Sequence, residues 1–143
     1  MRFVLSLMLI TSATLAQAQA PLDQALGVLD EFMAAFNEEN VERWANTLHY
    51  PHVRFASGTV TVFQDASSFR ARPAFERLRA TGWRRSAWIS RTPTLVSDRK
   101  VHLETVFERY NEAGDAIGQY RSLYIVTKIK DTWGIQARSS LAP

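Results

Sequence analysis

The chain has no cysteine. That excludes a disulfide framework and a lipid-modified amino terminus, and it removes thiolates from any metal site, so the fold must hold itself by packing. Nor is there a strong excess of either charge. The sequence carries 17 Lys and Arg against 14 Asp and Glu, and loss of Arg2 with a leader would leave 16 against 14, near +2. There is no basic face interleaved with aromatics and no reading motif, so nucleic acid is not an expected partner. The nearest approach is Arg70, Arg72, Arg77, Arg79, Arg84 and Arg85, which reads as the solvated side of a helix partly balanced by Glu76. No apolar run is long enough to span a bilayer comfortably, and internal repeats and low-complexity linkers are absent.

What is present begins with an export pattern. Arg2 supplies a positive start, Phe3 to Ile10 with Leu15 supply an apolar core, and Ala16-Gln17-Ala18 and Ala18-Gln19-Ala20 offer small-residue cleavage sites. Residues 1–18 are expected to form a signal peptide. Cleavage after Ala18 is favoured over Ala20, because Pro21 would directly follow the second site. The expected product is an exported protein, periplasmic or secreted, with no stable membrane insertion, whose residues 21–143 suit one domain able to bury its own core.

From Leu22 to Phe36 the residues Ala25, Leu26, Val28, Leu29, Phe32, Met33 and Phe36 recur every three or four positions, which predicts a long helix with one buried face. Asn40 reads as the N-cap of a shorter helix over Val41 to Leu48. Pro51 keeps Tyr50 extended and opens a strand. Val53 to Phe63 reads as a hairpin turning at Ser57-Gly58. Pro73 starts a third helix that carries Phe75 and Leu78 inward and stops at Gly82. Strands are expected at about Arg84 to Thr92, Val101 to Asn111, Gly118 to Ile129 and Trp133 to Ser139, with the last turn at Lys130-Asp131-Thr132.

Helices followed by a run of antiparallel strands make an α+β plan, the helices lying on one face of the sheet. Val101, Leu103, Thr105 and Phe107 alternate against His102, Glu104, Val106 and Glu108, so that strand has one apolar face. The next is apolar on both sides, with Leu123 and Ile125 opposing Tyr124 and Val126. Burial on both faces implies a partner on the outer side, most simply a second copy in a homodimer.

This order of elements, together with the ending SLYIVTKIKDTWGIQARSS, resembles the nuclear transport factor 2-like superfamily, which includes SnoaL-like and ketosteroid isomerase-like enzymes. The resemblance covers nearly all of the chain after the leader. It implies a cystatin-like cone, a curved antiparallel sheet wrapped around N-terminal helices, often dimeric through the sheet and with a pocket at the open end. Ketosteroid isomerase-like members carry a carboxylate base just after the first strand. The matching stretch here, His52-Val53-Arg54-Phe55-Ala56-Ser57, has none.

The candidate ligand-binding residues are Trp44, His49, Tyr50, His52, Arg54 and Glu104. His49 and His52 could serve as bases and Tyr50 or Tyr124 could donate to an oxyanion, but no catalytic set emerges. A metal pair at His49 and His52 is not expected, since an odd offset in a strand points the two rings to opposite sides. His102 and Glu104 share a strand face, where Arg121, Arg138 or Arg91 could neutralise the carboxylate. No cofactor is implied. The expected role is an exported binding or accessory domain for a small apolar or aromatic molecule. The alternatives are an isomerase, cyclase or hydrolase with a histidine base, and a structural dimerisation domain.

Overall fold

The computed structural model describes residues 10–143, with side chains described from residue 19. The leader expected at residues 1–18 therefore lies largely outside the described residues. Helix α1 runs over Ile10–Asn37 and passes through Pro21. Cleavage at either expected site would leave Pro21 in the first turn of the remaining helix, where a missing N–H has no helical partner to lose. Of the predicted apolar stripe Ala25, Leu29, Phe32 and Met33 are buried and Leu26, Val28 and Phe36 partly so, and Ala35 joins them on the buried side of α1. No described helix is long and apolar enough to cross a membrane.

Helix α2, Val41–Asn46, starts as the sequence predicts, with the Asn40 side chain accepting from the Arg43 N–H at 3.0 Å. It stops two residues earlier than the apolar spacing suggests. Thr47 turns its hydroxyl back onto the Trp44 carbonyl at 2.7 Å, and its own carbonyl accepts from the Ile135 N–H at 2.9 Å, which draws the chain into the sheet. The helix expected after Pro73 is present but short, and a further helix that was not expected precedes the proline. Helix α3, Ala66–Arg70, is started by a capping box in which Asp65 accepts from the Ser68 N–H at 2.8 Å, and α4 covers Glu76–Ala80. Gly82, with φ +85°, closes α4 in the left-handed region where a side chain would be strained.

Six strands follow the helices or interleave with them: β1 Leu48–Ala56, β2 Thr59–Phe63, β3 Arg85–Val96, β4 Lys100–Tyr110, β5 Ala116–Ile129 and β6 Thr132–Ser140. Their order in one sheet is β2-β1-β6-β5-β4-β3. All neighbours are antiparallel except β1 and β6, which run parallel, a departure from the wholly antiparallel sheet expected. No hairpin ties β1 to β6, so their direction is free of the constraint that a tight turn imposes. The turns at Ser57-Gly58 and Lys130-Asp131 fall where predicted, with Ser57 and Lys130 at positive φ, as two-residue hairpin loops require.

One register shift decides which side chains face inward. On β6, Ile135 pairs with Val126 and Ala137 with Ile125, so Gln136 is an extra residue and the alternation of faces resets there. Ile135 and Arg138, three apart, both end up on the concave side. There the sheet closes on α1 through edge-to-face aromatic contacts, Phe32 meeting Tyr124 and Trp44 with centroids at 5.6 Å. Tyr124, Leu103, Val101 and Val126 are buried beneath the helix.

Candidate functional site

The concave side of the sheet and the helices do not meet everywhere. Between them lies a cavity of about 590 Å³. Phe32, Met33 and Phe36 of α1 and Trp44 of α2 form one apolar wall, Phe107 and Tyr124 form the sheet side, and Pro73, Ala74 and Leu78 close the third side. This is the size and character of a small-molecule site.

Its polar inventory is one-sided. Four part-buried arginines line the cavity, Arg54 of β1, Arg109 of β4, Arg138 of β6 and Arg72 of the segment between α3 and α4, and the exposed Arg77 of α4 lines it as well; no lining side chain is acidic and none is a histidine. The sheet register explains three of them. Arg54 and Arg138 are paired neighbours on β1 and β6, Arg138 also pairs with Tyr124, and Arg109 continues the inward series Val101, Leu103, Thr105 and Phe107. Among the described residues none of these four guanidiniums has a carboxylate within ion-pair distance. The Nε of each is buried with no hydrogen-bond partner in the protein, as is the indole nitrogen of Trp44 on the same wall.

Aromatic faces hold three of these groups in place instead. The Arg72 guanidinium sits 4.5 Å from the Trp44 ring centre and 4.4 Å from that of Phe69, while Arg109 covers Tyr120 at 4.7 Å and Arg138 covers Tyr124 at 5.3 Å. Burial pushes Arg72 down to about 9, and the charges of Arg54 and Arg138 push the same way. Arg54 and Arg109 are lowered too, burial again leading, with the Arg138 charge acting on both. Burial raises Tyr124. Arg138 is thus the hub of a cluster of like charges held at close quarters without a counter-charge. An anion placed among these groups would supply the charge that the protein does not.

Of the residues singled out from sequence, Trp44 and Arg54 line this cavity. The structure sends the others elsewhere. His52 points inward but is packed in the core, 2 % exposed, its Nδ1–H donating to the Ile135 carbonyl at 3.0 Å. The Tyr50 hydroxyl donates to the Ala45 carbonyl at 2.9 Å, and burial pushes its pKa up to about 12. His49 lies on the outer face, its Nδ1 3.0 Å from the Thr127 hydroxyl, so the two histidines do face opposite sides. Glu104 is on the outer face as well, in an ion pair with Arg121. Arg138 and Arg91, the other partners considered for it, point to the concave side, and Arg91 pairs with Asp30 of α1 at 2.5 Å. Among the described residues no group of three or more His, Asp or Glu gathers as metal ligands.

The basic run read as a solvated helix face divides on folding. Arg70, Arg79 and Arg84 do face solvent, in ion pairs with Glu42, Glu39 and Glu112. Arg72 does not: the break between α3 and α4 turns it into the cavity. Arg109 and Arg138 were missed as site residues. The first was accessible by extending the β4 alternation one step; the second was hidden by the extra residue at Gln136.

His49 has a structural counterpart at Gly134, where a Cβ would lie 2.6 Å from the imidazole Cδ2. Gly134→Ala is expected to lose about 1–3 kcal/mol of stability through this overlap. In a His49→Ala background most of that loss should vanish, a coupling that chemical denaturation of the two single variants and the double variant would measure.

The match to known proteins is one of fold. The family described as NTF2-like protein (DUF6841) matches residues 23–142. No curated protein matches the chain. Among solved structures, a protein of unknown function with a cystatin-like fold from Nostoc punctiforme is 15 % identical, with 82 % of this chain and 86 % of that one covered and a TM-score of 0.67. A protein from Catenulispora acidiphila in complex with S-DNPA is 13 % identical, covers 85 % and 92 %, and has a TM-score of 0.68. A ketosteroid isomerase-like protein from Erwinia carotovora atroseptica is 16 % identical, covers 85 % and 97 %, and has a TM-score of 0.63.

Proposed function

The chain belongs to the NTF2-like protein family DUF6841, and from that premise we propose that it is an exported small-molecule-binding or accessory domain whose cavity holds an organic anion with an apolar or aromatic body. The observation that carries this reading is the cavity itself: aromatic walls around four part-buried arginines, with Arg77 as a fifth, that have no carboxylate partner among the described residues. The walls supply apolar area for a flat or greasy body, and the guanidiniums supply the charge that a carboxylate, phosphate or sulfonate would meet. The leader pattern at residues 1–18 supports export. The complex of the Catenulispora relative with S-DNPA supports small-molecule binding by this fold at low identity.

Binding without turnover fits the lining better than an enzyme with a histidine base. His49 is on the far side of the sheet, and His52 is enclosed among Phe63, Phe69 and the Ile135 carbonyl. Neither is positioned to take a proton from a molecule in the cavity. Pairing of two copies through the sheet belongs to the same proposal. Phe55, Val60, Val62 and Leu123 are 37–58 % exposed on adjoining strands of the outer face, apolar area that a second copy would cover.

The reading is tested by NMR titration of the leader-free protein with benzoate and with benzamide, which share a ring and differ in charge. Benzoate should bind about tenfold tighter or more, with shifts concentrated at Arg54, Arg72, Arg109 and Arg138. Equal affinity for the two, or shifts confined to the outer face, would contradict it.

A further inference from the structure

The number and placement of the arginines say more about the ligand than its sign. Three guanidiniums, Arg54, Arg109 and Arg138, rise from the sheet on β1, β4 and β6, whereas Arg72 comes from the segment between α3 and α4. All four have a buried Nε with no protein acceptor. With that nitrogen closed off by protein, each guanidinium meets a ligand through its terminal N–H groups, which can grip two oxygens at once.

Resting on the anion-binding reading above, we infer that the ligand's polar end carries at least two negative charges and three or more oxygens, as a phosphate monoester or a pair of carboxylates does. A single carboxylate offers two oxygens and about four lone-pair sites, enough for two guanidinium edges. It would leave the other two unpaired in a site closed on one side by Phe32, Phe36 and Trp44. Charge counting agrees. Four part-buried cations, with Arg77 as a fifth and no acidic side chain in the lining, are only partly balanced by one negative charge, and the remainder stays as repulsion inside a partly dry cavity. A dianionic head held by Arg72 and the other three would join the sheet to the α3–α4 segment.

The test uses ligands with one ring and different heads at pH 7.5 and fixed ionic strength: benzoate, phenyl phosphate, isophthalate and neutral benzamide. Phenyl phosphate is a dianion there, its second pKa being about 6. The inference expects phenyl phosphate or isophthalate to bind about tenfold tighter than benzoate or more, and whichever of the two leads tells a phosphate monoester from a dicarboxylate. Arg72→Met should collapse that preference to less than about threefold while benzoate still binds. If both dianions bind no tighter than benzoate, and benzoate still exceeds benzamide, the two-charge inference falls and the anion-binding reading stands. If none of the acids exceeds benzamide, the reading itself falls. The ligand series on the unmodified protein decides the matter even if the Arg72 variant fails to fold.

Discussion

Arg138→Met is expected to weaken binding of an anionic ligand by about a hundredfold and, at the same time, to raise the thermal unfolding midpoint of the ligand-free protein. The two effects have one cause. Arg138 pairs across the sheet with Arg54, lies against Tyr124, and its charge pushes on Arg54, Arg72 and Arg109 alike. Removing it deletes the group that every other cation in the site must tolerate, and with it the central donor to an anion. Methionine keeps an unbranched apolar stem over Phe32, Phe107 and Tyr124, so packing is largely retained, although the 3.2 Å contact with the Ser140 hydroxyl is lost. Relief of like-charge repulsion should stabilise the free protein by about 1 kcal/mol. Calorimetric unfolding and a ligand titration on the same two samples read both quantities. A variant that loses stability and affinity together would mean that Arg138 serves the fold and not a ligand.

The second large effect is a loss of stability between pH 6.5 and pH 4 that traces to His52. Burial pushes this imidazole down to about 4 from an ordinary 6.5, the cations Arg138, Arg72 and Arg54 push the same way, and only the Ile135 carbonyl pulls against them. In that window the unfolded chain takes up a proton that the folded chain refuses. Stability is therefore complete above pH 6.5 and falls as the pH drops toward 4, by roughly 3 kcal/mol at full extent. Urea unfolding at half-unit pH steps would trace the slope. His52→Asn places an amide N–H where the ring Nδ1–H was, keeps the bond to Ile135, and has nothing to titrate, so its profile should be flatter by that amount. An equally steep profile in the variant would assign the slope to other groups.

Much of the fold could be read from periodicity because each step was local. The α1 stripe, the Asn40 cap, the Ser57-Gly58 and Lys130-Asp131 turns and the inward face of β4 are set by residues within a few positions of one another. What was misread depended on distant pairing. The end of α2 is decided by Ile135, which captures the Thr47 carbonyl from 88 positions away. The direction of β1 is decided by the strand it joins. The site suffered most from this. Arg54 was named because it lies near the hairpin and short helix that the resemblance puts at the open end of the cone, yet its partner Arg138 could not be placed inside while the extra residue at Gln136 was unseen. Arg72 looked like one more surface cation in a basic run, since Pro73 marks where the next helix can begin but not which way the residue before it points. His52 illustrates the opposite case: a residue type rich in chemistry that the fold spends on a core hydrogen bond.

The central claim is that the cavity between α1 and the sheet exists to hold an organic acid. Native mass spectrometry of the protein taken from its own host, beside a denatured spectrum of the same sample, tests it most directly. The account predicts a discrete additional mass that is lost on denaturation, belongs to an acid with an apolar or aromatic body, and is absent from the Arg138→Met protein prepared in the same way. A retained compound that is neutral or cationic, or one held equally by the Arg138→Met protein, would contradict it.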